Sequence, residues 1–103
     1  MPATIAGKAV EIDKDGFLVN PNEWTEEIAA EIARQDGIEL TDAHWKVIRF
    51  MRDDYKATGQ TPTVRKITKN NIANTKEIYA LFPGGPAKFP AKIGGLPKPK
   101  GCL

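Results

Sequence analysis

Cys102 is the only thiol among 103 residues, and it is flanked by Lys98, Lys100, Gly101 and Leu103. A lone cysteine cannot close an internal disulfide, which leaves a free nucleophile or an incidental side chain. The reactive form of such a group is the thiolate. The ammonium groups of Lys98 and Lys100 favour that anion, and the carboxylate that follows Leu103 opposes it. Gly101 leaves the backbone beside the sulfur without a side chain, which lowers steric conflict in a narrow channel.

No other constellation competes strongly. His44 is the only histidine, and no Cys/His cluster offers the three or four ligands of a zinc site, so neither a metal nor a cofactor is expected. His44 could be imagined as a base for the thiol, but a histidine next to Trp45 near a helix start is more often a surface or core-edge residue. Trp24, Trp45, Met51 and Tyr55 fall at helical spacings and read as core.

The 15 basic and 13 acidic residues give a net charge of +2, too near balance to imply nucleic-acid binding. The distribution is uneven. Residues 83–103 contain Lys88, Lys92, Lys98 and Lys100 and no acid, so this segment carries +4 and the remainder −2. Such a tail is either a solubilising end or a means of steering onto an acidic partner, with Lys92, Lys98, Lys100 and Gly101 as the docking candidates. No apolar run approaches the roughly 18 residues that cross a bilayer, and no secretory signal pattern is visible, so a soluble cytoplasmic protein is expected.

The elements that must position the thiol follow from periodicity. Short β-prone stretches over 4–10 and 11–18, with turn signals at Ala6-Gly7-Lys8 and Asp13-Lys14-Asp15-Gly16, predict an N-terminal β-hairpin with Phe17 packed inward. Residues 23–35 place Trp24, Ile28 and Ile32 on one helical face before Gly37. Thr41 caps a second helix carrying Trp45, Ile48, Met51 and Tyr55 up to Gly59. A helix with Val64 and Ile67 opens at Thr61-Pro62, Asn70-Asn71 interrupts, and another follows over 75–82, a pair that looks like a helix-turn-helix. A last short helix starts near Pro90 and stops at Gly94-Gly95, and beyond Leu96 the density of Pro and Gly excludes regular structure. The expected architecture is mainly α: an orthogonal helical bundle with a small N-terminal hairpin and a flexible C-terminal arm, divided into a domain over 1–86 and an arm over 87–103.

The run Leu81-Phe82-Pro83-Gly84-Gly85-Pro86-Ala87-Lys88, followed by Lys92-Ile93-Gly94-Gly95-Leu96-Pro97-Lys98-Pro99-Lys100-Gly101-Cys102-Leu103, resembles the DsrC/TusE family. The resemblance extends through Asp15-Gly16-Phe17-Leu18, Trp24, Leu40-Thr41 with His44-Trp45, and Pro62-Thr63-Val64-Arg65. It implies a compact helical fold with a small hairpin and a mobile arm. It also implies sulfur transfer through the penultimate cysteine, here Cys102.

One departure is informative. Members of the family that serve dissimilatory sulfite reductase carry a second arm cysteine eleven positions before the penultimate one, where this chain has Ala91. The single-cysteine branch includes TusE-like relay proteins that pass persulfide sulfur towards tRNA thiolation. The resemblance therefore implies a sulfur carrier, rather than a stand-alone enzyme, that works between a sulfurtransferase donor and an acceptor protein. The alternatives are a γ-subunit-like partner of the catalytic subunits of dissimilatory sulfite reductase and, from a different class, a DNA-binding regulator. For that last role Lys76 and Asn74 are the side chains available on the second helix of the pair. From Leu96 to Cys102 an extended arm reaches on the order of 20 Å, and a bulky residue at Gly101 is expected to slow transfer.

Overall fold

The computed structural model describes residues 1–99. Two strands, β1 (Pro2–Ile5) and β2 (Lys8–Glu11), pair antiparallel with Pro2 opposite Glu11 and Ile5 opposite Lys8. The two-residue turn between them, Ala6-Gly7, has φ of 52° and 77°, the left-handed geometry that matches strand twist in tight hairpins. An isolated bridge between Ile12 and Leu18 closes the following loop and turns Phe17 and Leu18 into the core.

Five helices follow: α1 (Glu26–Gln35), α2 (Asp42–Thr58), α3 (Val64–Lys69), α4 (Thr75–Leu81) and α5 (Lys88–Ile93). Their ends obey local chemistry. Thr25 Oγ1 accepts from the backbone of Ile28 at 3.1 Å, and Asn74 and Glu77 cap α4 reciprocally at 2.8 and 3.0 Å. Gly59 closes α2 in the left-handed region at φ 77°. The core gathers Ile28, Ile32, Val47, Ile48, Met51, Ile67, Ile78 and Phe82 with Phe17 and Leu18 from the hairpin side. Ile93 and Leu96, from the far end of the chain, complete it. Among the described residues no helix is long and apolar enough to cross a membrane.

The mainly helical architecture with one small hairpin and a helix-turn-helix-like α3–α4 pair agrees with the periodicity, but these details differ. Both hairpin strands lie within 2–11, on either side of the Ala6-Gly7 turn, so the stretch over 11–18 adds only the Ile12–Leu18 bridge. The first helix begins at Glu26 rather than residue 23. Pro21–Glu23 form a separate 3-10 turn capped by Asn20, and Thr25 then caps α1, so Trp24 is left extended at φ −68°, ψ 141°. Trp24 therefore does not share a helical face with Ile28 and Ile32. On α2 the buried stripe is His44, Val47, Ile48 and Met51, with Trp45 and Tyr55 only partly buried at its flanks. The last helix starts at Lys88, two residues before Pro90, because proline is well tolerated in a first turn, where its missing N–H costs no helical bond.

Candidate functional site

Cys102, Gly101 and Lys100 lie outside the described residues, so the structure bears on the site through the segment that leads to them. That segment leaves α5 through Gly94 and Gly95. Leu96 N–H donates to the carbonyl of Ala91 at 3.0 Å and Gly95 N–H to that of Lys92 at 3.2 Å, the paired bonds of a Schellman ending, with Gly95 in the left-handed position at φ 69°. Gly95 is required twice over. A Cβ there would lie 2.4 Å from Cδ1 and 2.7 Å from Cβ and Cγ of Trp24.

The Schellman bonds leave the carbonyls of Ile93 and Gly94, which two distant side chains take. Trp24 Nε1–H donates to Ile93 O at 2.9 Å, and Arg52 Nη1 donates to Gly94 O at 2.7 Å. Arg52 Nη2 also donates to Pro21 O at 3.2 Å, and its guanidinium sits 4.1 Å from the centre of the Trp24 ring. Burial pushes the Arg52 pKa down from its ordinary value, opposed by the nearby charge of Asp53. The cation is therefore partly desolvated and satisfied by carbonyls.

Further along, polar contacts become fewer while packing continues. Leu96 is buried, Thr61 Oγ1 donates to Pro97 O at 2.9 Å, and Lys98 Nζ lies 3.4 Å from Asp15 Oδ2 across the exposed tip of the hairpin-side loop. Pro99 is buried. A cleft of about 350 Å³ runs alongside, between Tyr55, the 59–63 loop and Pro97-Lys98. A larger cavity, about 520 Å³, opens elsewhere, beside Trp45, Arg34 and Leu40.

The docking candidates thus divide. Lys98 is about half exposed, on the segment leading to the thiol. Lys92 instead points inward from α5, its ammonium 3.2 Å from Asp36 Oδ1, with both side chains mostly buried. The inward turn follows from helix geometry: Lys92 lies between the buried Ala91 and Ile93, beside Gly16, where a Cβ would stand 3.0 Å from the Lys92 stem. Residues 88–96 consequently share the core with the rest of the chain.

His44 is 6% exposed and uses both ring nitrogens. Leu81 O, 2.7 Å from Nε2, can only accept, so Nε2 carries the proton and Nδ1 accepts from the backbone N–H of Thr41 at 3.0 Å. The ring also meets Phe82 edge-on at 5.1 Å. It tethers the start of α2 to the end of α4 and has no nitrogen left for a thiol. On α4, Asn74 is likewise engaged as the cap, while Lys76 is exposed. Trp24 and Arg52 were not singled out from the sequence as site residues. The local signal that frees Trp24 is Thr25 followed by Glu26-Glu27, a capping residue with acids in the first turn.

With this geometry in place, the likenesses to known proteins are specific. The model of a family described as DsrC like protein matches residues 4–103. The chain is 44% identical over 106 residues to a sulfurtransferase TusE homolog of Haemophilus influenzae, covering 96% of this chain and 97% of that one. It is 43% identical over 101 residues to the γ subunit of the dissimilatory-type sulfite reductase of Nitratidesulfovibrio vulgaris, covering 97% and 96%. The solution structure of Allochromatium vinosum DsrC superposes with a TM-score of 0.85 at 38% identity, over the full length of both chains.

Proposed function

Because the chain belongs to the DsrC-like family, we propose that it is a sulfur carrier that accepts sulfur as a persulfide on Cys102 and delivers it to a partner protein. The observation that carries this reading is the match of residues 4–103, tail motif included, to the family model, with 44% and 42% identity to TusE sulfurtransferases over 96% and 94% of the chain, in a sequence whose only thiol is Cys102.

The chemistry needs no cofactor. The Cys102 thiolate attacks the outer sulfur of a donor persulfide R–S–SH. A new S–S bond forms at Cys102, the donor S–S bond breaks, and R–S⁻ departs, leaving Cys102–S–SH. The sulfane sulfur keeps its oxidation state, so no electron source is required. Delivery repeats the exchange with an acceptor thiolate. Lys98 and Lys100 supply positive charge beside the thiol, and Gly101 keeps its approach narrow. In this reading the chain itself is the TusE-like member, handing sulfur to a partner protein on a route towards tRNA thiolation.

Intact mass after incubation with a persulfide-loaded sulfurtransferase tests the proposal. Native chain should gain about 32 Da per sulfur atom and Cys102→Ser none; the absence of any gain with competent donors would defeat it.

A second reading, a partner of dissimilatory sulfite reductase, draws support from the 43% identity to a γ subunit. Ala91 weighs against the two-cysteine form of that role: the position is fully buried on α5 and holds no thiol. Co-purification with a sirohaem enzyme would favour this second reading.

A further inference from the structure

We infer that Trp24 and Arg52 are positioning residues for sulfur transfer: together they fix where, and in what direction, the chain leaves α5 on its way to Cys102. The inference rests on the carrier reading of Cys102 and adds to it two residues far from the thiol in sequence.

Helix ends leave their last carbonyls without intrahelical donors, and water is the usual substitute. At the end of α5 the Schellman bonds satisfy Ala91 and Lys92, and the next two carbonyls, Ile93 and Gly94, receive an indole N–H at 2.9 Å and a guanidinium at 2.7 Å. These donors come from unrelated places, the turn before α1 and the middle of α2. They are coupled to each other by stacking at 4.1 Å. Arg52 makes no ion pair within 4.0 Å among the described residues. A half-buried cation held only by carbonyls and a ring is a costly way to fill space, but a planar fork that fixes two carbonyls at once is well suited to holding a backbone direction.

The contacts are also graded along the chain. Through Gly95 there is no slack, since even a Cβ would collide with Trp24. Beyond Leu96 the hydrogen bonds and ion pairs among the described residues thin to one hydroxyl bond to Pro97 and an exposed ion pair to Lys98, with Pro99 buried by packing alone. A partner that draws Cys102 into its own active site can displace the outer contacts while the pivot stays fixed. A fixed pivot sets the point from which the chain beyond it starts, and reactions between positioned groups are sensitive to displacements of about 1 Å.

The test is steady-state sulfur uptake from a persulfide-loaded sulfurtransferase, measured beside alkylation of the same thiol by iodoacetamide. For Arg52→Met, kcat for uptake should fall about tenfold while KM changes less than twofold and the alkylation rate stays within twofold of native. Arg52→Lys, which keeps the charge but not the fork, should recover kcat to within about threefold of native. Trp24→Phe, which keeps the packing and loses the Ile93 bond, should fall between. Circular dichroism establishes that each variant is folded, and if Arg52→Met is not, the two milder variants carry the comparison. Unchanged kcat in folded variants, or alkylation falling in step with kcat, would overturn the positioning role alone. Failure of the native chain to take up sulfur would overturn the carrier reading together with it.

Discussion

The ammonium of Lys92 lies 3.2 Å from Asp36 Oδ1, joining α5 to the C-cap of α1, and the second carboxylate oxygen of Asp36 is buried with no hydrogen-bond partner among the described residues. Each charge depends on the other for compensation. Replacing Lys92 by Met should strand the Asp36 carboxylate and cost about 2 kcal/mol, below the 3–5 kcal/mol of a fully buried pair because some exposure remains. A urea titration measures this. If Lys92 served only in docking, the midpoint would not move.

Gly95→Ala meets two penalties, a left-handed backbone that costs roughly 1–2 kcal/mol with a Cβ and a collision with Trp24 of the kind that costs about 1–3 kcal/mol. The expected loss is about 3 kcal/mol, read by chemical denaturation. A second variant, Gly95→Ala with Trp24→Ala, should recover part of the steric share; no recovery would mean that Trp24 is not the obstacle.

His44→Ala removes the donor to Leu81 O and the acceptor for Thr41 N–H, which should cost about 2–4 kcal/mol by leaving buried polar groups unpaired. Sulfur uptake per folded molecule should be unaffected, because neither ring nitrogen is free. A loss of uptake in fully folded protein would restore His44 as a candidate base.

The carboxyl of Glu31 is held at about 2, first by hydrogen bonds from the Arg34 side chain at 2.6 and 2.9 Å and then from Gln35 at 3.0 Å. The folded value lies below the unfolded one. Any stability from this contact is therefore present above pH 4.5 and lost as pH falls towards 2. Carboxyl-carbon NMR should place the Glu31 midpoint near 2, and Arg34→Ala should raise it; a native midpoint near 4.5 would deny the contact in solution.

Local chemistry made most elements legible. The Ala6-Gly7 turn, the Thr41 and Gly59 ends of α2 and the Gly94-Gly95 stop are written in single residues whose conformational preferences dominate their surroundings. Trp24 misled because spacing alone placed it in phase with Ile28, while the caps Asn20 and Thr25 set it outside the helix. The partners of His44 and Arg52 were illegible for another reason. A polar side chain on a helix ordinarily faces water, and only the arrival of Leu81 and Gly94 from other elements makes these two structural. Cys102 stands out through its motif alone, and it lies outside the described residues.

The Trp24–Ile93 bond spans 69 residues of chain, and this separation has a kinetic consequence. The hairpin and the α3–α4 pair close short loops, whereas seating α5 against α1 and α2 must close a long one, whose entropic cost grows with the logarithm of its length. Docking of α5 is thus expected as the late event in folding. Until it occurs, the indole of Trp24 lacks its carbonyl partner and the root of the thiol-bearing segment does not exist as a defined point. Its fluorescence should change with the slowest phase of refolding, marking the moment at which the chain that leads to the sulfur gains a fixed root.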